Sequence, residues 1–275
     1  MSTFQSYLDI PAINWSSLKN MNESPLAYRY WQDHPRGDKP AYALGRAAHV
    51  AILEPDRFAS DVVMFEGRRA GKLWKEFQEE NEGREIVKAP EYNQIMRMVD
   101  AVHAHPVAMA ALEGGTMETN LEWTDPVTGL ACKGRADCIT DRVVDLKTAR
   151  EVNKRQFTQA ATGYLYYGQT AFYHDGAGHM ANEHGGGASA IPPLIIAVQS
   201  VAPYDVAVYE IGGDALEAGR NLYRTLLDTL KACQDADHWP GCEPDAVEME
   251  LPPWAAGTET ETMPALTMGG KVMEF

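Results

Sequence analysis

The sequence predicts an α/β fold in which a central mixed β-sheet is flanked by helices, and three observations carry that prediction. Residues 121–150, LEWTDPVTGLACKGRADCITDRVVDLKTAR, read as three short strands joined by two turns. Residues 194–201 and 206–211 read as a second strand pair across the turn Ala202-Pro203-Tyr204-Asp205. Around these strands, apolar residues recur at helical spacing, most plainly over 42–54, 90–109, 152–173 and 215–232. With 275 residues, 45% of them hydrophobic, the chain can bury a sizeable core. The expectation is one domain over residues 1–254 followed by a poorly ordered tail over 255–275.

Each element has a local reason. Asn14 or Ser16 can cap a first short helix, and Ser24-Pro25 opens a second. A polar Pro- and Gly-containing loop over 33–40 precedes an apolar helix of small residues that Pro55 stops. On that helix Gly45, His49 and Ile52 or Leu53 share a face. Residues 61–67 suggest a strand, and 71–82 an exposed helix of alternating charge. Pro90 starts a helix expected to run through Met109, with Ile95, Met98, Val99 and Val102 turned to the core. His103 and His105 near its end read as structural. A further helix is expected from Val152 to Tyr173, on which Tyr166, Gln169 and Tyr173 share a face. Residues 174–193 read as a Gly-rich solvated loop, and its His174, Asp175, His179, Glu183 and His184 as residues of that loop, not as a second metal site. The aromatic–proline segments at 238–241 and 251–254 are expected to pack on the core.

The chemistry concentrates in the central hairpins. Asp125-Pro126-Val127-Thr128-Gly129 supplies turn residues at each end, and a tighter turn centres on Asp141. If Ile139 faces Val143, an antiparallel ladder sets Asp137 opposite Asp145 and Arg135 opposite Lys147. Val143, Asp145 and Lys147 then share one face, while Val144 and Leu146 share the other. Two close carboxylates repel unless a hard cation lies between them, and Mg²⁺ takes oxygen ligands of this kind. A lysine on the same face can orient or help deprotonate a metal-bound water and screen the charge that develops on a phosphodiester. Asp-Leu-Lys alone is better read as an ordinary surface ion pair. The longer string, Gly134-Arg135-Ala136-Asp137 and then Val143-Val144-Asp145-Leu146-Lys147-Thr148, is much more specific.

Composition sets bounds. Twenty-four basic against thirty-nine acidic residues give a net charge of −15, which argues against a broad electrostatic grip on nucleic acid by one chain. No apolar run approaches the ~20 residues of a membrane span, and the N-terminus lacks a signal-peptide pattern, so a soluble cytoplasmic protein is expected. Cys132, Cys138, Cys233 and Cys242 form no CxxC pair and read as buried, reduced thiols without zinc.

Gly-Arg-x-Asp followed by hydrophobic-Asp-x-Lys-Thr resembles the core of the PD-(D/E)XK nuclease superfamily, in the branch of RecB-type and exodeoxyribonuclease VIII (RecE-type) domains. The likeness extends over most of the chain. It takes in the Ser24-Pro25 segment, the string Gly45-Arg-Ala-Ala-His49, the string Arg68-Arg69-x-Gly-Lys72-x-Trp74, Gln169-Thr-Ala-Phe-Tyr173, and the Trp239-Pro240-Gly241 and Leu251-Pro-Pro-Trp254 segments. A lone histidine on an apolar helix is ordinarily a core residue. The resemblance instead makes His49 a metal ligand together with Asp137, Asp145 and the carbonyl of Leu146. It implies a catalytic role for Lys147 with both aspartates, and places Gln169 and Tyr173 along the active site. It implies a Mg²⁺-dependent exodeoxyribonuclease, with Mn²⁺ able to substitute, that degrades one strand of linear duplex DNA 5′ to 3′. Phage-type recombination with a RecT-like single-strand annealing partner follows from the same likeness. So does a homo-oligomeric ring, which would answer the acidic charge by enclosing the duplex. Arg68, Arg69, Lys72, Arg150, Lys154 and Arg155 are the candidates for its inner surface, and Ser16 for a terminal phosphate. The cysteines of the iron–sulfur branches are missing: Ser24 stands at the first position and only Cys233 and Cys242 near the second, so no cluster is expected. An endonuclease of restriction or repair type, and a relative that binds DNA without hydrolysis, are the alternative readings.

Overall fold

Five strands make the central sheet, in the spatial order β3-β4-β5-β6-β7: Thr116–Thr124, Ala131–Ile139, Val143–Ala149, Leu194–Gln199 and Val206–Glu210. This computed structural model describes residues 7–34, 37, 40–183, 191–243, 245–251, 267–268 and 271–272. The β3–β4, β4–β5 and β6–β7 pairs are antiparallel and β5–β6 is parallel, which makes the sheet mixed as predicted. Two short strands, β1 (Val62–Met64) and β2 (Glu85–Val87), pair in parallel as a separate ribbon. The described residues fall into two compact units, 1–241 and 242–275; in the second, β8 (Thr267–Met268) and β9 (Lys271–Val272) form a small antiparallel pair. The tail expected over 255–275, and Pro252 to Trp254 with it, lie largely outside the described residues.

The helices are α1 (Trp15–Leu18, followed by a 3₁₀ turn), α2 (Pro25–Asp33), α3 (Pro40–Leu53), α4 (Pro55–Asp61), α5 (Lys72–Glu80), α6 (Ala89–Ala104), α7 (Pro106–Leu112), α8 (Lys154–Gly163), α9 (Tyr166–Glu183) and α10 (Gly213–Ala236). Asn14 caps α1 by accepting the Ser17 amide, and Ser24 caps α2 by accepting that of Ala27. The helix expected over 90–109 is two helices, because His105 accepts the Ala108 amide through its side chain and caps the second. The helix expected over 152–173 also breaks, at Tyr164–Leu165, and α9 then runs on to Glu183. Much of the segment expected to be a loop is therefore helix, and residues 184–190 lie outside the described residues. Asp175 belongs to that helix and takes Arg220 and Tyr223 of α10 as partners. No helix among the described residues is long and apolar enough to cross a membrane.

Helices cover both faces of the sheet. One layer packs Val144, Leu146, Ile196 and Val198 under α3, α6 and α7 through Ala48, Ala51, Ile95, Met98 and Leu112. The other packs Leu121, Trp123, Ala136 and Val143 under α1, α9 and α10 through Trp15, Phe172, Leu226 and Leu227. The expected division of β5 is thus observed, with Val144 and Leu146 in one layer and Val143 in the other. Strand β6, buried between layers, reads Leu-Ile-Ile-Ala-Val without alternation for that reason. Burying each large side chain of this kind stabilises the fold by roughly 1.5–3 kcal/mol. Trp239 stacks on Tyr28 at 6.0 Å between ring centres, as the aromatic–proline reading anticipated. All four cysteines carry free thiols; Cys242 is exposed, unlike the other three, which are buried as expected.

Candidate active site

The turn pairing holds, and the strands then part. Ile139 faces Val143 and Cys138 faces Val144, and the β4–β5 ladder stops there. The Leu146 amide instead donates to Asp137 Oδ2 at 2.6 Å. Asp137 and Asp145 therefore stand at the edges of an opening between two splayed strands, not opposite each other in a ladder. Asp145 is almost wholly buried, and Lys147 Nζ reaches both its oxygens, at 2.8 Å and 2.7 Å. Only the first approach has hydrogen-bond geometry, so Asp145 Oδ2 is buried without a hydrogen bond.

Helix α3 brings the histidine. Its small residues let it lie close to β5: a Cβ on Gly45 would come 3.3 Å from Thr148 Oγ1. One turn on, His49 Nδ1 is 3.6 Å from Asp137 Oδ2. The third neighbour, Glu118, is one that the sequence reading missed. It lies on β3 between Met117 and Thr119, which pair with Cys138 and Ala136 on either side of Asp137, and its φ of 51° is left-handed, a conformation disfavoured for a residue with a Cβ. Ligand atoms of His49, Glu118 and Asp137 all lie within 4.8 Å of one another. Arg135, two residues before Asp137, holds Glu118 Oε2 at 2.5 Å.

These groups open into a cleft of about 540 Å³, together with Lys147, Gln169 and Tyr173. Gln169 and Tyr173, one turn apart on α9, both line this cleft. The Tyr173 ring lies flat enough on β4 that a Cβ on Gly134 would come 2.8 Å from its Cε1. That close approach explains the glycine of the Gly-Arg-Ala-Asp string. Lys133, on the same strand, is buried and donates to the carbonyls of Tyr7, Leu8 and Ile10 at 2.8, 3.1 and 2.7 Å. It draws Tyr7 into electrostatic reach of Arg135 and Tyr173, and burial raises the Tyr7 hydroxyl to about 12.

Charge in the cleft is self-consistent. Burial disfavours the Asp137 carboxylate, but His49, Lys147 and the Leu146 amide outweigh it and hold the group below the usual range. Burial also pulls on Lys147, and the two aspartates more than compensate, so its ammonium is held charged. Asp145 is raised, chiefly by burial and further by Asp137, with Lys147 opposing. The imidazole of His49 and the carboxylates of Glu118 and Asp137 are a donor set that suits a hard divalent cation, and Asp145, expected as a ligand, stands outside that group in the grip of Lys147.

The other predicted residues lie elsewhere. Arg69 donates to Glu91 Oε2 at 2.8 Å and to the Ile86 carbonyl at 2.6 Å, with its guanidinium 5.8 Å from the Trp74 ring. It stitches the loop after β1 to β2 and α6. Arg68 is exposed, and Lys72 is exposed with Glu76 at 3.5 Å. Arg150, Lys154 and Arg155 are exposed just past β5. Ser16 is exposed on the four-residue α1 and does not line the cleft.

Comparison with known proteins adds family and fold. Residues 14–248 match the family described as PDDEXK-like domain of unknown function (DUF3799). No curated protein matches the chain. The crystal structure of a "Putative exonuclease" from Eubacterium rectale superposes with a TM-score of 0.61 at 12% identity, covering 95% of this chain and 98% of that one.

Proposed function

Since the chain belongs to the PDDEXK-like family (DUF3799), and so to the PD-(D/E)XK superfamily, we propose that it is a Mg²⁺-dependent nuclease hydrolysing DNA phosphodiesters in this cleft. The observation that carries the reading is the convergence of ligand atoms of His49, Glu118 and Asp137 within 4.8 Å of one another, in a cleft that Lys147 also lines, its ammonium held by Asp145. His49, Glu118, Asp137, Asp145 and the Leu146 carbonyl are the residues that would hold the cation. When bound, it supplies Lewis-acid polarisation of the phosphate and a more acidic water.

The chain's own groups do the rest. Lys147, held as an ammonium by the two aspartates, orients the attacking water and stabilises charge developing on the phosphate. Gln169 and Tyr173 line the cleft and donate to the scissile phosphate or its neighbour. Arg135 sets the carboxylate of Glu118.

The finer reading rests on the sequence resemblance. Acting from the ends of linear duplex DNA, the enzyme removes one strand 5′ to 3′ and leaves the other for a RecT-like annealing protein, as RecE-type enzymes do. The description of the Eubacterium rectale protein as an exonuclease is in keeping with action from ends. Assembly as a ring would offset the charge of −15. Incubation with linear and with covalently closed circular duplex in Mg²⁺ tests this: degradation of the linear form alone is expected. Cleavage of the circle would establish an endonuclease instead.

A further inference from the structure

A group of tyrosines lies against Lys147 and takes no part in the cleft described above. The Tyr166 ring centre is 5.0 Å from Lys147 Nζ, and Tyr164 stacks on Tyr166 with ring centres 5.6 Å apart at 27°. Tyr164 is 63% exposed at the break between two helices.

Residues two apart on a helix do not face each other. Here the residue between them, Leu165, is left-handed with φ 58°, and its side chain packs on the second core layer. That conformation is disfavoured for a leucine and is kept where the surroundings enforce it. Its local result is to lay one tyrosine on the next, beside the lysine of the site.

We propose that Tyr164 and Tyr166 form a stacking platform for one unpaired nucleobase of the strand whose phosphate lies at Lys147. A nucleotide carries a phosphate and a flat base on one sugar, and an ammonium packed against a tyrosine pair offers a partner to each. A paired base would present its edge, because its faces are stacked within the duplex, so the nucleotide held here is frayed from its complement. Stacking of this kind tolerates any base and changes affinity roughly 5- to 100-fold per base. The inference rests on the proposed nuclease function for its substrate class.

The test is a binding titration of the full chain in Ca²⁺ with single-stranded DNA oligonucleotides in which one nucleotide at a time is abasic. At one position, loss of the base should weaken wild-type binding at least about fivefold. Tyr164→Ala should abolish that preference, and Tyr164→Phe, which keeps the ring, should retain it. Equal binding of all abasic oligonucleotides by the wild type, or an undiminished base preference in Tyr164→Ala, would overturn the platform. A wild type with the base preference that hydrolyses no DNA in Mg²⁺ would sink the nuclease reading and leave the platform standing. Hydrolysis without any base preference would do the reverse.

Discussion

Glu118 shows how a site residue can be silent in sequence. It sits in Thr-Met-Glu-Thr-Asn, a stretch with no spacing to other ligands, and only the pairing of β3 with β4 on either side of it brings it near Asp137. Asp137, Asp145 and Lys147 were legible because they lie within ten residues of one another around one tight turn, where alternation fixes faces. His49 was legible only through resemblance, since one histidine on an apolar helix carries no chemistry by itself. If Glu118 is a ligand, Glu118→Gln should weaken Mn²⁺ binding about 10- to 100-fold with little change in melting temperature. Calorimetric titration that finds unchanged affinity would remove it from the site. The glycine of the Gly-Arg-Ala-Asp string was legible as a motif letter but not as a contact. Gly134→Ala places a methyl against the Tyr173 ring and should cost about 1–3 kcal/mol, measured by urea denaturation.

At the scale of elements, periodicity found the strands and the apolar faces of the helices, and it missed the breaks. Apolar spacing continues through His105 and through Leu165, so nothing in it marks a cap made by an imidazole or a leucine in a left-handed conformation. Composition also misled: the glycines and polar residues of 174–183 suggested a loop, whereas Asp175 is fastened to α10 by Arg220 and Tyr223. A second fastening ties the β3–β4 turn to α10, where Arg224 Nη1 lies 2.6 Å from Asp125 Oδ1. Burial opposes ionisation of both aspartates, but their arginine, hydroxyl and amide partners outweigh it and lower both. A folded-state value below the unfolded one, near 3.9, gives a contribution that is full above that pH and lost as pH falls through the folded value. Asp125→Asn should therefore be destabilised by about 1.5–3 kcal/mol at pH 7, and the gap to wild type should close as pH falls through the lowered value of the folded carboxyl. Denaturant midpoints across that range give the measurement; a gap independent of pH would assign the loss to packing.

For the molecule as a whole, the mixed sheet between helical layers was legible, because strand pairs and helical stretches alternate along the chain in that order. The surface was less so. Arg68 and Arg69 look alike in sequence, yet Arg69 holds Glu91, the Ile86 carbonyl and Trp74 while Arg68 is exposed. Arg69→Ala should lower stability by about 1–2 kcal/mol in thermal melts, and Arg68→Ala should stay within about 0.5 kcal/mol. A loss of processivity on long duplex in Arg68→Ala alone, without loss of stability, would place that residue on the DNA path. The most direct test of the central claim is hydrolysis of an end-labelled linear duplex under saturating Mg²⁺. Wild type should release labelled nucleotides and stop on chelation, while Asp137→Asn and Asp145→Asn should each slow release by at least about 10²–10³ with folding intact. Wild-type rates in either variant, or release that continues after chelation, would contradict the account.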